Sequence, residues 1–206
     1  LRKKGANGQE SRAKLLMIAA NEFAKSGYHH TKISTIVSRA GLTQPSFYLY
    51  FESKEAIFRE LVGNFRSGLK ELIEGSRLEG GIRENDVPDR LLAVLTSLFE
   101  FLGKDPDLTQ IGFYIGEESA AIKSEMAAMI ANNLRAEQQE GYFRAEADMA
   151  VISESLVGVI ERLTLQELLN GKRPSGDLAR HVVNLFMHGI CEHPYGRVSG
   201  DKFQGV

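Results

Sequence analysis

The feature that most constrains this chain is a spacing. Apolar residues recur every three or four positions along most of its length, the period of a helix that buries one face. Nowhere do apolar and polar residues alternate as a half-buried strand requires. The runs are cut by Gly27, Gly41, Gly103, Gly116, Gly141 and Gly171 and by the Asp105-Pro106 step, all helix stop or start signals. The sequence therefore predicts an all-α fold of about nine helices.

Leu15, Ile18, Ala19 and Phe23 mark the first helix, Ser11 to Ser26. Thr31 is placed to cap a short second helix ending at Ala40, with Ile33, Ile36 and Val37 inward. Thr43 caps a third, Gln44 to about Tyr50, with Pro45 in the first turn, where no intrahelical donor is lost. Ser53 caps a fourth, in which Ile57, Leu61, Phe65 and Leu69 recur every four residues. After Leu78 the glycine-rich, aperiodic EGGIREND segment reads as a boundary. Five further helices are expected beyond it, the last two running from Ala147 to Asn170 and from Asp177 to Gly189. This divides the chain into residues 1–52, a connecting helix at 53–78, a larger helical domain at 86–190 and an irregular tail at 191–206.

With 206 residues, 43% of them apolar, the chain can bury a sizeable core. No stretch approaches the roughly 18 continuous apolar residues of a membrane helix, so no membrane partner is expected. The opening LRKKGANGQESRAK lacks the apolar segment of a signal peptide, and the single cysteine, Cys191, excludes an internal disulfide framework. A soluble, cytoplasmic protein is the expectation. Its net charge of −2 conceals an asymmetry: residues 1–66 hold 11 Lys and Arg against 5 Asp and Glu, and the remainder 14 against 22. A basic first third on an acidic remainder points to a polyanion at one end, although ordinary scatter of solvated charge gives a similar count.

Within that basic third, the two short helices around Gly41-Leu42-Thr43 have the form of a helix-turn-helix, whose second helix enters the major groove of DNA. The following GLTQPSFYLYF is rich in rings and poor in charge. On a helix Phe47, Tyr50 and Phe51 turn inward together and anchor a very short element. Thr43, Gln44, Ser46 and Tyr48 then fall on or near the outer face. An amide that can pair with adenine, hydroxyls for phosphates or bases, and few negative charges are what a groove-facing surface requires.

The run from Arg12 to Phe58 closely resembles the DNA-binding domain of the tetracycline-repressor (TetR) family. The likeness rests on Ala19, Ala20 and Phe23 before Gly27-Tyr28, on Thr31 leading to Ile36, and on Ala40-Gly41-Leu42-Thr43. It rests above all on Phe47-Tyr48-Leu49-Tyr50-Phe51 followed by Ser53-Lys54-Glu55. The resemblance covers about the first quarter of the chain; the rest matches in helix number and order. It implies that Thr31 and Lys32 meet phosphates, that Thr43, Tyr48 and Lys54 do likewise, and that Gln44 and Ser46 face bases. Thr43 could equally be only a cap, and Lys54 only a solvated charge. Leu49 departs from the polar residue or His frequent at its position and could touch a thymine methyl. Pro45 stands where a small residue is common.

The same resemblance implies a larger domain that dimerises and holds a small-molecule effector, so that a two-fold dimer reads a palindromic operator in double-stranded DNA. The last two helices are the dimer candidates, with Leu156, Val159, Leu163, Leu178, Val182, Leu185 and Phe186 lining the bundle or packing within one subunit. Phe99, Phe113, Tyr114, Met126, Met129 and Ile130 are candidate cavity walls, with Asn133 and Glu161 as polar interruptions. The expectation is a ligand-released repressor; the alternative is a regulator of the same fold controlled by a protein partner or acting architecturally. No phosphate loop, nucleophile elbow or dinucleotide fingerprint occurs, so neither catalysis nor a cofactor is expected. His188, Cys191 and His193 do not match a zinc spacing, and no metal is expected.

Overall fold

The computed structural model describes residues 4–78 and 80–190, with side chains described from residue 8. Cys191, His193 and the expected irregular tail lie outside the described residues. The described chain is helical with no strand: α1 (Lys4–His30), α2 (Ile33–Ala40), α3 (Gln44–Tyr48), α4 (Lys54–Glu74), α5 (Val87–Lys104), α6 (Pro106–Tyr114), α7 (Glu118–Gln139), α8 (Met149–Leu163) and α9 (Ser175–His188). Single turns at Glu84–Asp86 and Thr164–Leu168 precede α5 and follow α8.

Several boundaries follow directly from side-chain chemistry. Ser53 accepts the Ala56 amide at the head of α4, Asp105 accepts that of Leu108, and Asp148 accepts those of Ala150 and Val151. Gly41 ends α2 in the left-handed region (φ 65, ψ 31), where a side chain is disfavoured, and thereby sets the tight turn into α3. The first helix breaks at Gly27 (φ 75, ψ 163) before resuming as a last turn. α3 is two residues shorter than expected, because the amides of Tyr50 and Phe51 both fold back onto the Phe47 carbonyl.

Two corrections concern the second half. Gly103 does not end its helix: α5 continues through it to Lys104. The single helix expected from Ala147 to Asn170 is instead α8 followed by a π turn at Thr164–Leu168. Tyr114 of α6 supplies the reason. Its hydroxyl donates to the Glu161 carbonyl at 2.7 Å and also bonds the Leu165 backbone, so a side chain is inserted where the helical ladder would close.

One buried apolar cluster runs through the molecule from Leu15 on α1 to Val183 on α9, crossing the expected boundary at residue 53. α4 is its spine. At one end Phe58 packs edge-on against Phe23 (5.1 Å between ring centres); further along, Phe65 meets Phe101 of α5 and Phe113 of α6 at 5.7 and 5.3 Å. α6 reaches both α1 and α4, α9 lies along α5, and α8 lies along α7.

Candidate nucleic-acid interface and internal cavity

The helix-turn-helix is built from the inside out. Phe47 is fully buried and Phe51 nearly so, which holds α3 in place beside α2 despite its length of five residues. With those anchors inward, Thr43, Gln44, Pro45, Tyr48 and Leu49 stand exposed, Tyr48 and Leu49 at 55% and 79%. Ser46 is half-buried, and its hydroxyl lies 2.9 Å from that of Thr43. Thr43 occupies the cap position without bonding a backbone amide, so its hydroxyl is engaged only with another hydroxyl. Lys32 is exposed at the cap position of α2, beside exposed Ser34 and Thr35. Lys32, Thr43, Gln44, Pro45, Tyr48 and Leu49 are thus exposed around the α2–α3 turn, with Ser46 half-buried among them.

Two of the expected contact residues are bonded within the chain. Thr31 is 3% exposed and does not cap α2; its hydroxyl donates back to the Gly27 carbonyl at 2.8 Å, with that of Glu22 at 3.1 Å. Lys54 is half-buried and donates to the carbonyls of Tyr28 (2.8 Å) and Thr31 (3.0 Å), its ammonium lying over the Tyr28 ring. Both close the junction of α1, α2 and α4, where the break at Gly27 leaves carbonyls without helical partners.

The sequence also gave no sign of a polar chain behind this face. Arg39, at the end of α2, pairs with Glu22 and donates to the Asn21 side chain at 3.0 Å; Asn21 in turn donates to Asp107 of α6 at 2.8 Å. Arg12 bonds Glu60 at 2.5 Å and lies over the Phe51 ring. These pairs join residues up to 86 positions apart, beyond the reach of any local pattern.

A cavity of about 850 Å³ lies at the far end of the larger helical set, among the ends of α4, α7 and α9 and the first halves of α5 and α8. This is within the size range of small-molecule sites. Its walls are mainly aliphatic, including Leu95, Leu98, Ile130, Leu134, Ile152 and Leu156. Of the expected wall residues only Ile130 and Asn133 line it. Phe99, Phe113 and Met126 are fully buried core, and Met129 packs half-buried against that core. Tyr114 is used at the π turn, and the Glu161 carboxylate pairs with Lys123 at 2.7 Å. Burial, and secondarily the Glu161 charge, hold the Tyr114 hydroxyl well above its ordinary value. A more open depression of about 640 Å³ between α5 and the start of α9 is edged by Glu100, Lys104 and Arg173.

The dimer candidates also divide. Leu178 and Val182 are buried within their own chain where α9 meets α5, so they are not available to a second subunit. Leu156, Val182, Leu185 and Phe186 all line the cavity, while Val159 and Leu163 are half-buried against the core. Leu185 and Phe186 remain 43% and 38% exposed, as does Val151 at 61%. Among the described residues no group of three His, Cys, Asp or Glu side chains could hold a metal ion, and no helix is long and apolar enough to cross a membrane.

An all-helical chain with a helix-turn-helix at one end and a cavity at the other defines a class of transcription regulator. The profile of the bacterial regulatory proteins of the tetR family matches residues 15–61. The HTH-type transcriptional regulator YdgC of Bacillus subtilis (strain 168) is 48% identical over 185 residues, 90% of this chain and 95% of that one. Among solved structures, a TetR-family transcriptional regulator from Bordetella parapertussis 12822 superposes with a TM-score of 0.69 at 23% identity, covering 86% of this chain and 94% of the other. FadR from Bacillus subtilis, solved in complex with stearoyl-CoA, does so with a TM-score of 0.64 at 22% identity, covering 87% and 99%. The chain belongs to the tetR family of bacterial transcriptional regulators.

Proposed function

We propose that the protein is a repressor that binds a palindromic operator as a homodimer and is released when a small apolar or amphipathic effector fills the cavity. The observation that carries the DNA reading is the exposed, uncharged surface of α3, held by Phe47 and Phe51, together with the exposed Lys32 at the head of α2. Gln44 reads a base edge, Tyr48 and Thr43 meet phosphates, and Leu49 offers an apolar contact to a thymine methyl. A helix of five residues makes too few base contacts for a unique site, and a two-fold dimer doubles them. Val151, Leu185 and Phe186 on α8 and α9 are the apolar groups available for that pairing.

The effector reading is supported by the volume and aliphatic walls of the cavity, and by the presence of stearoyl-CoA in FadR, a protein of the same fold. Binding at the cavity acts on DNA only through a conformation it prefers, and operator DNA must weaken effector binding by the same factor. Selection from a random double-stranded DNA library at about 0.15 M salt tests the proposal. Enrichment of a palindrome supports a dimeric repressor and yields the operator for effector screening. Retention without enrichment would favour an architectural role, and no retention at low salt would end the DNA reading.

A further inference from the structure

The polar groups at the inner end of the cavity are unevenly matched. Asn133 and Glu137 lie one turn apart on α7, and Ser76 follows the end of α4; all three line the cavity. One Asn133 amide hydrogen donates to the Ile73 carbonyl at 2.9 Å, and the Ser76 hydroxyl donates to the same carbonyl at 2.7 Å. Acceptor capacity remains at this part of the cavity wall. Glu137 dominates it. The residue is 3% exposed, and among the described residues its Oε1 accepts the Leu78 amide at 2.9 Å, a single bond for a carboxylate that can accept about four.

We propose that Glu137 is the polar anchor of the effector, selecting molecules with an apolar body and a hydrogen-bond-donating head, such as an amine or hydroxyl, over those with an anionic head. The inference rests on the reading of the cavity as the effector site. A donor head satisfies a carboxyl that is otherwise buried among aliphatic side chains. A carboxylate or phosphate there would face acceptors across a medium that screens poorly. Two arginines are near. Arg144 lines the cavity at its exposed rim, where its charge meets solvent, and Arg77 is exposed just before Leu78. Burial pushes the Glu137 carboxyl above its ordinary value, opposed by the Leu78 amide and by the charge of Arg77.

Three probes with one chain and different heads, octylamine, 1-octanol and octanoate, separate the possibilities by calorimetric titration of the full-length protein. At about pH 8 the amine is charged and the acid ionised. Octylamine and octanol should bind, with octanoate weaker by about tenfold or more, the range for a hydrogen bond to a charged group. Glu137→Gln keeps an acceptor for Leu78 and should erase most of the octylamine advantage while leaving octanol little changed. Octanoate binding as tightly as octylamine overturns the anchor but leaves the cavity reading standing, as does a Gln variant that shifts all three probes alike. Failure of every probe to bind the wild type removes the cavity reading, and the anchor with it. The wild-type order decides the matter even where the variant fails to fold.

Discussion

The ammonium of Lys54 lies 4.4 Å from the centre of the Tyr28 ring and donates to the carbonyl of the same residue at 2.8 Å. With its second bond to Thr31, it fastens the start of α4 to the broken end of α1. Lys54→Ala should therefore cost about 2 kcal/mol of stability, from lost charged hydrogen bonds and the cation–ring contact. Because the charge is engaged inside the protein, the slope of log affinity against log salt should hold. Thermal denaturation and a salt titration of operator binding check both. A slope smaller by about one at unchanged stability would put Lys54 on a phosphate instead.

Lys32 should behave in the opposite way. It is exposed, with no side-chain bond at the head of α2. Lys32→Ala should weaken every DNA sequence alike and reduce the salt slope by about one, with melting unchanged. Gln44→Ala should instead relax one position of each half-site, at a cost of about 1–3 kcal/mol for the preferred base. Repeating the DNA selection with each variant distinguishes the two effects.

Gly112 of α6 lies directly against the Phe65 ring, and any Cβ added there would collide with it. Gly112→Ala must push the ring of a fully packed residue aside, and overpacking of this kind costs about 1–3 kcal/mol. Phe65→Leu in the same chain should return part of that loss by making room. Urea denaturation of the two single variants and the double variant measures the coupling.

Glu137 gives a pH dependence whose sign is fixed by burial. Its carboxyl titrates above its ordinary value of 4.5, so the folded chain holds the proton more tightly than the unfolded one. Its contribution is most favourable below that value, declines as pH rises through the folded value, and stays lower above it. Glu137→Gln cannot ionise. The melting temperature of the variant relative to wild type should therefore be higher at about pH 8 than at about pH 4. A constant difference between the two proteins would show that the carboxyl is not under this strain.

Helix number and order were legible because a 3.6-residue period repeats over many residues, and glycines at 27, 41 and 171 mark true ends or breaks. Of the expected inward set Phe47, Tyr50 and Phe51, the two phenylalanines are buried and Tyr50 is half-buried. The internal partners of Thr31 and Lys54 were not legible, because a junction residue can point to solvent or to a broken helix end, and its neighbours in sequence do not decide which. The cavity was misplaced for a deeper reason: a void is what several helices fail to fill, and periodicity reports only which faces are apolar. Glu137 left one trace. It continues the stripe Ile122, Met126, Ile130 and Asn133, and a carboxylate on an otherwise inward row is a sign of a buried polar site. The π turn left none, for its cause is Tyr114, nearly fifty positions earlier.

The continuity of the core along α4 bears on how such a protein can be re-engineered. Phe58 and Glu60 pack toward the helix-turn-helix, through Phe23 and Arg12, while Phe65 and Ile73 pack toward the larger helical set, through Phe113 and the cavity. A chimera joined in the glycine-rich loop near residue 80 would carry half of a foreign interface into its new host. One joined within α4, between Glu60 and Phe65, would keep each set of side chains with the partners that shaped it. The natural seam of this molecule runs through the middle of a helix.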